Sequence, residues 1–175
     1  GYMNETISNL VSRRSIKKYT DKQIKKEDLE EILKAGEFAP CGMGKQSPIM
    51  VVIQNRELIN KIGKINAKIM GANMDPFYGA PTLIIVFADK TINTYIEDGS
   101  LVMGNLMNAA HSLGIGSCWI HRAKETFETD EGKELLKKWN ISENYVGIGN
   151  CILGYLDGEY PTAKPRKQDY IRYVN

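Results

Sequence analysis

Cysteine and histidine are both scarce in this chain of 175 residues, with three of the first and two of the second. Cys41, Cys118 and Cys151 are widely spaced, odd in number, and form no CxxC pair. That pattern argues against a disulfide framework and suits buried thiols in a reducing compartment, so a cytoplasmic protein is expected. His111 and His121 lack metal-ligand spacing with the cysteines, and no metal site is expected. No apolar run approaches the roughly 18 residues of a spanning helix. Polar residues also stand where the apolar core of a signal peptide would be. Charge of one sign is lacking too: 23 basic against 21 acidic residues leave +2. So small an excess points to neither nucleic acid nor a membrane surface as partner. No GxGxxG follows a first strand and the P-loop pattern is missing, which argues against a Rossmann or Walker nucleotide site.

The composition is that of an ordinary globular protein, 42% hydrophobic and 25% charged. The length fits one domain over residues 1–175, enough to bury about 70% of the unfolded surface without staples. Gly1 and Tyr2 precede Met3 and are set apart from the fold as an expression remnant.

Positive charge is concentrated locally. One basic stretch, Ser12 to Tyr19, lies near the start, and a second, Lys164 to Lys167, near the end. Ile7, Leu10 and Val11 share a helical face, and continuing that spacing reaches Arg14. A guanidinium turned inward needs an anion. Arginine's planar fork suits phosphate oxygens, lysine adds a point charge, and Ser15 supplies a hydroxyl. Both stretches are therefore expected to close on one phosphate. The plainer alternative is a solvated helix end, where cations are favoured anyway.

Lys26–Phe38 reads as a helix with Leu29, Ile32 and Leu33 inward, stopped by Pro40. Residues 41–48 hold two glycines and cannot be a regular element; Gln46 there could satisfy the edge of a heterocycle. Ile49–Gln54 reads as a strand, and Asn55 as the N-cap of an amphipathic helix carrying Leu58, Ile62, Ile65 and Ile69. A polar loop over 70–80 leads into Thr82–Ala88, an unbroken apolar run that reads as a central strand. Glu97–Leu113 reads as a helix apolar nearly all round, which suggests a homodimer interface or a central core helix. A glycine turn and a short strand follow, ending near Trp119. Asp130 is expected to cap a helix running to Trp139. Tyr145–Leu156 reads as a strand with Val146, Ile148, Ile152 and Leu156 on one side, and its glycines mark a bulge or close packing. Beyond Asp157 the only regularity is a small extended segment at Tyr170–Val174. The fold class is α+β, a sheet with helices packed on it.

Four blocks together resemble the FMN-dependent nitroreductase family. They are Arg13-Arg14-Ser15-Ile16-Lys17-Lys18-Tyr19, the loop from Ala39 to Pro48, the run from Ala110 to Ile120, and Lys164-Pro165-Arg166. The resemblance covers nearly the whole chain in order. It implies a nitroreductase-like fold, a central and mostly antiparallel sheet flanked by helices, in an entwined homodimer with FMN at the subunit interface. It implies that Arg13, Arg14, Ser15 and Lys17 hold the phosphate and part of the ring, and that Lys164 and Arg166 complete the phosphate site. Pro40, Cys41, Gly42, Met43 and Gly44 would approach the isoalloxazine from the other subunit, and Gln46 would also bind the cofactor. The backbone at Trp119, Ile120 and His121 would line the ring and donate to N5. The activity implied is hydride passage from NADH or NADPH through FMN to a nitroaromatic, quinone or similar small acceptor, by a ping-pong mechanism. The catalytic side chain, if any, stays unassigned.

Departures from the family pattern are specific. Lys17 stands where arginine is frequent, Cys41 where serine is, and Gly44 where asparagine is. Ser47-Pro48 replaces a frequent Pro-Trp, and His121-Arg122 stands where some members have an acidic residue and glycine. Two other readings remain open. One is a same-fold flavoenzyme with another acceptor, a dehalogenase or flavin-cleaving type, although residues 70–80 show no clamp for an amino-acid zwitterion. The other is a non-catalytic anion-binding or interaction domain.

Overall fold

The apolar run after Pro81 is the centre of the molecule. In the computed structural model, which describes residues 3–175, it forms strand β2 (Thr82–Asp89), buried along seven of its eight residues. Gly1 and Tyr2 lie outside the described residues. The sheet has four antiparallel strands in the order β1 (Pro48–Ile53), β2, β4 (Tyr145–Gly154), β3 (Gly116–Ile120). β2 can be apolar on both sides because helices cover both faces. On one face α3 (Arg56–Met70), α5 (Ala123–Thr126) and α6 (Asp130–Lys138) bring Ile59, Ile62, Ala123, Phe127, Leu135 and Leu136 against Leu83, Ile85 and Phe87. On the other, α2 (Lys26–Glu37) and α4 (Tyr95–Ser112) bring Ile32, Val102, Met103 and Leu106 against Ile84 and Val86. The α+β class and the helix-flanked antiparallel sheet stand as expected.

Asn55 caps α3, its side chain accepting from Leu58 N–H at 2.9 Å, and Gly71 ends that helix in the left-handed region. Several boundaries and roles differ from expectation. α4 begins at Tyr95 rather than Glu97, and within one chain it leaves the apolar Leu101 exposed. Thr129, not Asp130, caps α6, accepting from Gly132 N–H. Near the end Gln168–Tyr170 is a single 3-10 turn, and Ile171 after it is extended, with φ −116° and ψ 131°.

The strand β4 corrects the even alternation expected of it. Val86 pairs with Gly149 but Phe87 pairs with Gly147, so Ile148 is an extra residue, a β-bulge. The bulge reverses which residues face which way. Ile148 joins the core beneath α4, whereas Ile152 joins the opposite one. Gly99 of α4 sits on this bulge: a Cβ there would lie 2.6 Å from Ile148 Cγ1. The N-terminal part of α4 therefore rests directly on the inserted side chain.

Candidate functional site

The N-terminal basic stretch is an extended arm. α1 (Glu5–Ser12) is capped by Asn4 and ends at Arg13, whose ψ of 137° is already extended. Arg14 therefore does not continue the helical face of Ile7, Leu10 and Val11, as spacing alone suggested. From there the arm runs beside β3. Ser15 bridges Ser117, Ile16 N–H donates to the Ser117 carbonyl at 2.9 Å, and Tyr19 bridges Leu156. Strand alternation then sorts the side chains. Ile16 is buried, against a Gly116 that has no Cβ to obstruct it, while Ser15 and Lys17 face out.

The two arginines divide their work. Arg14 Nη1 donates to the carbonyls of Val11 and Arg13 at 2.8 and 2.7 Å, tying off the end of α1. Arg13 Nη1 and Arg14 Nε are buried with no partner. A buried guanidinium nitrogen left unpaired is costly, and an anion is the partner that removes the cost. These atoms border a cleft of about 200 Å³ that also touches His111, Ser117 and Tyr160. Ser12 Oγ lies 2.8 Å from His111 Nε2, and Tyr160 stacks on the imidazole at 5.8 Å between centroids. The Tyr160 hydroxyl accepts from Arg14 N–H at 2.9 Å and donates to the Ser12 carbonyl at 2.7 Å. Partial burial, then the nearby Arg13 and Arg14, hold the His111 pKa below its ordinary value.

The second predicted element is the loop after α2. Cys41 is extended, Gly42–Gly44 forms a 3-10 turn, and Met43, Gly44 and Gln46 all have positive φ, at 53°, 66° and 50°. Each non-glycine residue so placed costs about 1–2 kcal/mol. What offsets this is Asp98, a residue the sequence reading passed over. Its carboxylate is only 1% exposed. Oδ1 accepts from Gly42 N–H at 2.9 Å; Oδ2 accepts from Ser47 Oγ at 2.7 Å and Thr94 Oγ1 at 3.0 Å. Hydrogen bonds to a charged group contribute about 1.5–3 kcal/mol each, enough to exceed the strain. Burial alone would raise the Asp98 pKa, but the three donors outweigh it and hold the carboxyl below its ordinary range. A Cβ on Gly42 would strike the Thr94 side chain, so the glycine is required for this approach. Beside the loop runs a groove of about 700 Å³, lined by Leu33, Phe38, Pro40, Cys41, Met50 and Val102 among others.

The third element is the end of β3. Trp119 Nε1 donates to His121 Nδ1 at 3.2 Å. The turn is fixed from behind by two buried asparagines. Asn66 of α3 donates to the His121 carbonyl at 2.9 Å and accepts from Arg122 Nε at 2.7 Å. Asn150 of β4 donates to the carbonyls of Ile120 and His121 at 3.2 and 3.3 Å. Arg122 is left-handed, with φ 70°, at the position where some family members are expected to carry glycine. Neither asparagine was singled out in the sequence, because a lone Asn in an apolar strand or helix carries no spacing signal. Cys118 and Cys151 are buried, and burial raises both thiols, which leaves them unreactive.

The family model for the nitroreductase family matches residues 10–155, which span the arm, the loop and the β3 turn. This chain belongs to the nitroreductase family. Among its relatives is an Archaeoglobus fulgidus protein named as an NADH dehydrogenase/NAD(P)H nitroreductase, 34% identical over 87% of this chain and 86% of that protein. An FMN reductase [NAD(P)H] of Bacillus subtilis is 26% identical over 94% of this chain and 70% of its own length. A Bacteroides fragilis nitroreductase crystallised with bound FMN superimposes with a TM-score of 0.91 at 29% identity, covering 99% of this chain and all of that one.

Within one chain, this nitroreductase-family member brings Arg13, Arg14, Ser15 and Lys17 to the edge of β3. Trp119, Ile120 and His121 lie at the far end of the same strand. The loop from Pro40 to Gln46 stands apart, held by α4. Lys164 and Arg166 are exposed, and Arg166 Nη2 donates to the Lys164 carbonyl at 2.8 Å rather than meeting the arm. The tail instead reaches the arm through Tyr160 and through Asp157 N–H, which donates to the Lys18 carbonyl at 3.0 Å. Among the described residues no helix is long and apolar enough to cross a membrane, and no group of three or more His, Cys, Asp or Glu gathers to hold a metal.

Proposed function

We propose that the protein is an FMN-dependent oxidoreductase that passes a hydride from NADH or NADPH to a nitroaromatic, quinone or similar small acceptor by a ping-pong mechanism. The observation that carries this reading is the unpaired, buried Arg13 Nη1 beside outward-facing Ser15 and Lys17. That donor set fits a phosphomonoester: a guanidinium fork, a hydroxyl and an ammonium around one anion. Relatives named for FMN and NAD(P)H support the same assignment. When bound, FMN supplies the hydride-accepting and hydride-donating centre.

The chain's own residues do the rest. Arg13, Ser15 and Lys17 hold the phosphate end, and Arg14 fixes the arm's entry by closing α1. The rigid turn at Trp119–His121 presents backbone donors at a set height, because Asn66 and Asn150 hold its carbonyls from behind. Pro40–Gln46 covers the ring from a second copy, and Lys164 and Arg166 complete the phosphate site. Cationic and hydrogen-bonding groups fixed in advance favour the charge that develops on reduction. A homodimer is supported by apolar side chains left open on one chain: Ile7, Leu10 and Val11 on α1, Phe38 beside the loop, and Ile171, Tyr173 and Val174 in the tail. The reading places the protein in the cytoplasm.

The test is a visible absorption spectrum after FMN addition and desalting, repeated after anaerobic NADH and NADPH. Retained flavin bands that bleach with either nucleotide are expected. A colourless protein would reject the reading in favour of a non-catalytic anion-binding domain.

A further inference from the structure

We propose that Asp98 is the positioning residue for the flavin-facing loop, clasping both ends of Gly42–Ser47 across one buried carboxylate. The inference rests on the flavin reading above. Asp98 does not touch the cofactor in that reading; it acts through the loop it holds.

Besides this clasp the loop has two backbone bonds, Lys45 N–H to the Gly42 carbonyl at 3.1 Å and Asp89 N–H to the Ser47 carbonyl at 2.9 Å. Met43 is 90% exposed, and nothing lies within 4 Å of where a Gly44 Cβ would be, so its tip has no core contacts. Its backbone nonetheless turns through three left-handed residues. A segment so strained and so open takes its shape from its roots. One root, Gly42, is held by Oδ1, and the other, Ser47, by Oδ2. Thr94, which precedes α4, shares Oδ2 and ties the clasp to the helix. Ser47 is also fixed by the bond from Asp89 N–H to its carbonyl, so the carboxylate ties the Gly42 root to one already anchored at the sheet. A carboxylate suits the task because it accepts at both oxygens, whereas an amide accepts at one. Moving the roots apart would swing Met43 and Gln46, the residues assigned to the ring.

The experiment uses the full-length protein and Asp98→Ala, with Asp98→Asn and Ser47→Ala beside it. Amide hydrogen exchange is followed without flavin, and dissociation constants are measured for FMN and for riboflavin, which lacks the phosphate. In Asp98→Ala, exchange over Gly42–Ser47 is expected to speed up about tenfold while α2 and β2 stay protected, the factor of one net hydrogen bond. Both dissociation constants should rise by about the same tenfold, since both ligands share the ring. Asp98→Asn, keeping one acceptor, should fall between. Wild-type affinity for both flavins in folded Asp98→Ala would overturn the proposal, even if exchange changed, and so would a loss confined to FMN. Should Asp98→Ala fail to fold, Ser47→Ala carries the test: a smaller change in the same direction supports the clasp, and wild-type exchange and affinities refute it. A wild-type protein that binds neither flavin would sink the flavin reading, and unchanged exchange in the variants would separately sink the clasp.

Discussion

Trp119 Nε1 donates to His121 Nδ1 at 3.2 Å, and an indole nitrogen can only donate. Nδ1 is therefore the accepting nitrogen in this bond, which selects the tautomer with hydrogen on Nε2. Trp119→Phe removes this constraint without removing the ring. Long-range proton–nitrogen NMR should show one tautomer of His121 in the wild type and a mixture in the variant. The same single tautomer in both would show that the indole does not select it.

Arg13→Ala should weaken FMN binding by about 1.5–3 kcal/mol, the worth of a hydrogen bond to a charged partner. Its thermal midpoint should hardly move, because the nitrogen lost has no partner within the chain. Arg14→Ala should behave differently and lower the midpoint, since its guanidinium closes two carbonyls at the end of α1. Flavin titration and calorimetry on the two variants separate these roles. Equal effects on both measurements would contradict the division.

His111 makes stability depend on pH. Its folded pKa is depressed by partial burial and by Arg13 and Arg14, so the unfolded chain binds the proton more readily. The contribution is fully present above the unfolded value near 6.5 and is lost as pH falls through the folded value. The midpoint should therefore drop on going from pH 8 to pH 5, and His111→Phe should flatten that slope. Asp98, also depressed, gives way only in a more acidic window, below the ordinary carboxylate value of 3.8. An unchanged slope in His111→Phe would assign the effect elsewhere.

Gly99→Ala should destabilise the fold by about 1–3 kcal/mol, the range for overpacking a filled core. The new methyl would lie 2.6 Å from Ile148 Cγ1, a β-branched side chain fixed in a strand. Gly104→Ala, on the same helix with open space around it, should be neutral or stabilising. Denaturant unfolding of the pair checks the contrast, and similar losses at both positions would refute the packing argument.

Residues whose neighbours are close in sequence announced themselves. The β2 run, the α3 stripe with its Asn55 cap, and the loop at residues 41–48 were all legible because their causes are local. The clasp was not. Near the start of a helix Asp98 reads as a partner for the dipole, and only the approach of a loop 56 residues away makes it a buried hinge point. Asn66 and Asn150 were hidden for the same reason: their partners lie 55 and 30 residues off. Arg14 was misplaced because helical spacing was extended past a helix that had already ended. α5, four residues long, is too short to show any period.

The bulge in β4 gives this strand one more residue than its partner needs over the same length. The surplus leaves the sheet as a side chain, Ile148, and works as a shim under Gly99, one residue from Asp98. Deleting Ile148 would restore plain alternation and remove the shim, while residues 145–147 kept their pairing with Asp89, Ala88 and Phe87 and so their face. The height of the carboxylate that gathers the loop is therefore a matter of strand counting: an odd number of residues in one place decides where a charge stands in another.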